Sequence, residues 1–140
     1  MIRTLLALAA GIGVGAGAMT AAHHHGDGEN VKVLSASDIR EKLDGKEAKA
    51  TAVEVTLEPG QEGAPHRHPG PAFGYVLEGE YEWAINDEPA KILKAGETFY
   101  EPGGCLHRVT KNPGKMKTRV LAWVLHPRDA KDLVIPEPKK

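Results

Sequence analysis

From Val31 to Leu125 the chain alternates apolar and polar residues in short runs, and glycine and proline break those runs at close intervals. A period of two places every second side chain on one face of an extended backbone. Val53, Val55 and Leu57 interleave with Ala52, Glu54 and Thr56, and Pro59-Gly60 closes the run. Phe73 to Leu77 ends at Glu78-Gly79, while Tyr81, Trp83 and Ile85 alternate with Glu80, Glu82 and Ala84 before Asn86-Asp87-Glu88-Pro89. Ile92-Leu93, Thr98 to Glu101, His107 to Thr110 and Thr118 to Leu125 complete the series. Short strands separated by turn residues predict an all-β barrel or sandwich. One short helix is expected, from Ser37 as N-cap to Leu43, with Gly45 just past its end.

A chain of 140 residues is one domain in size. Its 18 basic and 19 acidic residues leave a formal charge of −1, so no basic field exists for nucleic acid. The single cysteine, Cys105, forbids an intramolecular disulfide. Residues 1–22 start with Arg3, continue through an apolar stretch from Leu5 to Val14 and end in alanine and glycine. That pattern predicts a cleaved secretory signal, hence a periplasmic or secreted protein with no membrane attachment after cleavage. An uncleaved anchor is the competing reading. His23-His24-His25 follows as either a flexible polar start or, with His23 at a new N-terminus, a chelator of Cu(II) or Ni(II). The expected organisation is a signal over 1–22, a polar segment and strap over 23–45, a barrel over 46–126 and a C-terminal strap over 127–140.

Three histidines lie in the strand-rich body. His66 and His68, two apart on extended backbone, aim at one space with Arg67 pointing away, and His107 lies about forty residues on. Inward imidazoles need polar partners, and a metal ion provides one for a ring nitrogen. The bare H-x-H pattern is equally that of a surface pair.

The surroundings of these histidines resemble those of a known family. Gly60, five residues, His66-Arg67-His68 and then Gly79 resemble the first cupin motif; Gly96, five residues, Pro102, Gly104, two residues and His107 resemble the second. Residues 80–95 match the linker between them, and the resemblance spans roughly residues 50–125. It implies a double-stranded β-helix, the jelly-roll barrel, with one divalent ion (Fe, Mn, Ni, Cu or Zn) held by His66, His68 and His107. It further implies a small-molecule ligand and, by analogy of fold, a homodimer.

Two positions depart from the family pattern. The glutamate of motif one is replaced by Ala72, and the asparagine of motif two by Lys111, with Asn112 one residue late. Three neutral histidines leave open positions for water, O₂ or an anionic chelating substrate. Glu101, before Pro102, is the candidate to replace the missing catalytic carboxylate, its other reading being an exposed acid at a strand end. Tyr75, Trp83, Phe99, Ala72 and Cys105 are candidate pocket residues, as are Tyr81 and Tyr100, although alternation without a register does not say which faces point inward. Cys105 is either a thiolate ligand or a buried thiol, and His126 is assigned to the surface or the strap. An oxygen-dependent dioxygenase is the favoured function. A non-catalytic binding or sensing module is the alternative, and an isomerase ranks last because no acid–base pair for it is evident.

Overall fold

The structure is a computed structural model describing residues 29–138; the expected signal over 1–22 and His23-His24-His25 lie outside the described residues. All regular structure among them is strand: β1 (Asn30–Leu43), β2 (Lys46–Leu57), β3 (His66–Arg67), β4 (Ala72–Glu78), β5 (Glu80–Ile85), β6 (Lys91–Lys94), β7 (Thr98–Glu101), β8 (Leu106–Lys111), β9 (Thr118–Pro127) and β10 (Ile135–Pro136). They form two five-stranded sheets, ordered β1-β2-β9-β4-β7 and β10-β3-β8-β5-β6, with antiparallel pairing throughout. The all-β class is the one expected from the alternation, and the two-sheet jelly roll is the one that the family resemblance implies.

The helix expected over Ser37–Leu43 is absent, because those residues continue β1. Leu43 pairs with Lys46, and Asp44 and Gly45 take φ of 51° and 77° in the two-residue turn between them. Asp-Gly is a hairpin signal as well as a helix-end signal. Long-range pairing with β2 decided the matter over the local N-cap preference. The segment expected as a polar strap over 23–45 thus contributes a full edge strand, and the 45/46 boundary falls in the turn.

Between the sheets, Leu57, Val76, Tyr81, Trp83, Ile85 and Val120 form a buried cluster, with Val55, Leu93, Phe99 and Cys105 packed against it. Burying a side chain of valine or leucine size contributes about 1.5–3 kcal/mol. Beside this cluster the interior is hollow. Strand β4 alternates strictly: Ala72, Gly74 and Val76 face inward, Phe73, Tyr75 and Leu77 outward. Asn112, one residue late for its motif, is fully buried. Its amide donates to the carbonyls of Leu57 (3.0 Å) and Met116 (2.8 Å), and its Oδ1 accepts from Gly114 N. Asn112 thus fastens the loop between β8 and β9 to the end of β2.

Candidate metal centre

Strands β3 and β8 pair so that His66 stands directly opposite His107. His68 follows β3 by one residue beyond its end. Ring centroids lie 4.9 Å apart for His66–His68 and for His66–His107, and 6.5 Å apart for His68–His107. One nitrogen from each ring lies within 4.8 Å of the other two.

The hydrogen bonds select tautomers. His66 Nδ1 is 2.8 Å from the Ala64 carbonyl, and His68 Nδ1 is 2.7 Å from the Leu133 carbonyl. A carbonyl only accepts, so Nδ1 carries the proton in each neutral ring and Nε2 carries the lone pair. Burial holds His68 well below its usual range, at about 4, with the neighbouring His66 adding to the effect and the Leu133 carbonyl opposing it. Burial, then His66 and His68, hold His107 well below its ordinary value. Neutral imidazoles in a tight group are the donor set that a divalent ion requires.

Glu101 completes the cluster. The strand-end reading of an exposed acid is overturned: Glu101 is 2% exposed and faces inward. Its Oε1 accepts from Trp83 Nε1 (2.9 Å) and lies 3.1 Å from His107 Nδ1. Its Oε2 lies 3.5 Å from His68 Nε2 and, buried, has no hydrogen-bond partner among the described residues. Burial raises the carboxyl to about 7, opposed by the Trp83 donor and reinforced by Glu29. An orphaned carboxylate oxygen beside ring nitrogens fits a site built to receive a cation.

These residues occupy one wall of a cavity of about 180 Å³. Val31, Val33, Val53, Val55, Val124 and Phe99 supply much of its apolar surface, and Ala72 lies beside Glu101. Phe99 reaches the wall because Gly74 has no Cβ; one built there would collide with the Phe99 ring. Of the other candidate pocket residues, Tyr75, Trp83, Cys105 and Tyr100 do not line this cavity. Tyr75 is 41% exposed on the outer sheet face, since β4 turns its odd-numbered residues outward. Trp83 stands behind Glu101 as its donor. Cys105 packs half-buried against the core cluster, with its thiol pushed up by burial, and is outside the histidine group. Tyr100 is also on the outer face, whereas Tyr81 does line the cavity. His126 is not a surface residue: it is buried, with Nε2 2.9 Å from Thr51 Oγ1.

Sequence reasoning missed three contributors: Glu29, Thr110 and the segment 131–134, all of which border the cavity. Thr110 Oγ1 lies 2.9 Å from His107 Nε2. Simple alternation puts residues 107 and 110 on opposite faces, but a register shift between Ala84 and Ile85 on the paired strand turns both inward. Nothing in the local sequence marks Leu133, whose contribution is a backbone carbonyl.

A family model described as "Cupin domain" matches residues 53–124. No curated protein matches the sequence. Among solved structures, an RmlC-like cupin from Shewanella frigidimarina is 22% identical, with 81% of this chain covering 89% of that one at a TM-score of 0.56. A double-stranded β-helix protein from Klebsiella pneumoniae is 21% identical, with coverages of 83% and 91% and a TM-score of 0.61. An oxalate oxidase in complex with the substrate analogue glycolate is 26% identical over 57% of this chain, with a TM-score of 0.51. This chain spans only 43% of that oxidase.

Proposed function

The chain belongs to the cupin domain family, and from that premise we propose that it binds one divalent ion at His66, His68 and His107 and cleaves a small organic molecule with O₂. The observation that carries the reading is Glu101. A buried carboxylate stands beside two of the three histidines, on the cavity wall, although the usual position for it holds Ala72. The ion, when bound, supplies Lewis acidity and redox chemistry toward substrate oxygens and O₂. In such an oxidative cleavage the substrate supplies all four electrons that O₂ takes up and both oxygen atoms enter the products, so no external reductant is consumed.

The chain's own residues do the rest. The valine walls exclude water and hold the apolar body of the ligand. Glu101, fixed by Trp83 Nε1, takes the proton that a substrate enol or C–H group releases. A cavity of about 180 Å³ favours a ligand not much larger than benzene, which fills a void of about 150 Å³. Small diketones therefore suit it better than flavonols.

The test combines elemental analysis with oxygen uptake. One ion per chain is expected in protein from metal-replete cells, and its loss in His66→Ala and His107→Ala variants. Uptake with a small diketone should disappear in Glu101→Gln. Metal-free, well-folded wild type overturns the metal centre. Metal-loaded protein that consumes no O₂ across the panel leaves the cupin as a binding or sensing module.

The pattern of residues 1–22 supports export, which N-terminal sequencing of the mature protein tests. A homodimer is supported by the outer face of the β1-β2-β9-β4-β7 sheet. There Trp123, Phe73 and Tyr100 stand in one cross-strand row, and Tyr75 lies opposite Leu121 in the next. The four rings are between 41% and 51% exposed. Together they offer roughly 300–400 Å² of aromatic surface, taking 150–250 Å² per ring. That is the apolar centre of an interface burying about 800 Å² per partner.

A further inference from the structure

We infer that the C-terminal strap, residues 131–138, is a positioning element of the metal centre: it holds His68 in its ligating tautomer, and Arg67 with Glu137 fastens it there. The inference rests on the metal-centre reading.

The two neighbouring histidines are held in different ways. His66 meets the carbonyl of Ala64, two residues back on its own segment. His68 lies past the end of a two-residue strand, and its Nδ1 partner is the carbonyl of Leu133, 65 residues further along the chain. The strap therefore decides which nitrogen of His68 is protonated. Metal-bound histidines depend on such a partner for ring orientation and tautomer.

The strap has few attachments, and they converge on the ligand strand. β10 pairs Ile135 with Arg67 and Pro136 with His66. Glu137 N donates to the Pro65 carbonyl at 3.0 Å. Arg67 Nε and Nη2 donate to the two carboxylate oxygens of Glu137 at 3.0 and 3.4 Å. The same guanidinium donates through Nη1 to the Gly104 carbonyl (2.8 Å), and Gly104 N donates to the His68 carbonyl (3.1 Å). Arg67 points away from the cavity, yet it ties the strap and the loop before His107 to the segment that carries His66 and His68. Glu137 is the residue through which the side-chain clasp acts on the strap.

The decisive variant is Glu137→Pro in the full-length protein. It removes both the carboxylate that Arg67 grips and the N–H that Pro65 accepts, while an extended segment tolerates proline. Glu137→Gln keeps the N–H and an acceptor oxygen. Affinity for Zn(II), measured by chelator competition, should fall tenfold or more in Glu137→Pro, in line with the loss of an outer partner. In Glu137→Gln it should stay within about threefold, as for an exposed pair. Imidazole ¹⁵N shifts of the metal-free protein should show His68 leaving the single Nδ1–H tautomer in Glu137→Pro while His66 keeps it. Wild-type zinc affinity together with an unchanged His68 tautomer overturns the inference, even if the melting temperature drops. Wild type that binds no zinc overturns the metal-centre reading instead, and the tautomer measurement still decides the role of the strap.

Discussion

Ala72 on β4 and Glu101 on β7 are direct cross-strand partners, both inward and both 2% exposed. Cross-strand neighbours on one face have Cβ atoms about 5 Å apart, so a side chain at either position reaches the same volume. The carboxylate missing from one strand is present on the next. Adding a second one by Ala72→Glu should destabilise the metal-free protein by about 2–4 kcal/mol, since two buried acids then compete for one site. The transposed pair Ala72→Glu with Glu101→Ala should recover most of that loss. Urea denaturation of the three proteins checks both expectations, and equal stability of the single and double variants contradicts the shared volume.

Gly74 sets the depth of the cavity through Phe99. A Cβ at residue 74 has no room while Phe99 keeps its position. Gly74→Ala should cost about 1–3 kcal/mol as an overpacked site and drive the ring into the cavity. Loss of stability by chemical denaturation, together with weaker binding of a small aromatic probe, is the expected result. Unchanged binding means that the ring moves elsewhere.

Glu29 gives a pH dependence separable from the metal ligands. Burial raises its carboxyl from 4.5 to about 7, and its side chain lies against Gly63. A raised folded-state value favours the protonated acid, so its contribution is fully present below about pH 4.5 and is lost as pH rises through about 7. The stability difference between wild type and Glu29→Gln should therefore drift against wild type between those values. Urea midpoints across that range measure it, and a constant difference contradicts the burial of the acid.

The outer aromatic face should govern self-association. Trp123→Ser combined with Tyr100→Ser removes two rings of the cross-strand row without touching the cavity. Sedimentation should show a dimer for wild type and a monomer for the double variant, with unchanged zinc content. A monomeric wild type contradicts the homodimer.

Much of this molecule is legible in its residues because its signals are local. Period-two alternation and turn residues specify strands, and a barrel is the usual way for many short strands to bury one face. The spacing of His66, His68 and His107 within two glycine-framed motifs resembles a known metal site, and the fold brings those rings together. The same local logic misread Ser37–Leu43, because Asp44-Gly45 serves a helix end and a hairpin equally well, and only pairing with β2 distinguishes them.

Tertiary structure decided whatever depends on register or on distant backbone. Strand register sent Tyr75 outward and Phe99 inward, and brought Glu101 opposite Ala72. A register shift turned Thr110 toward His107 against simple alternation. The hydrogen bond that His68 Nδ1 donates to Leu133 ends on a backbone carbonyl, which every residue carries, so no side-chain pattern could announce it. The sequence by itself determined which side chains could bind a metal. Only the folding of two sheets and a C-terminal strap around them decided the partner of His68 Nδ1, the burial of the rings and the carboxylate beside them, because those properties arise from contacts between segments far apart in the chain.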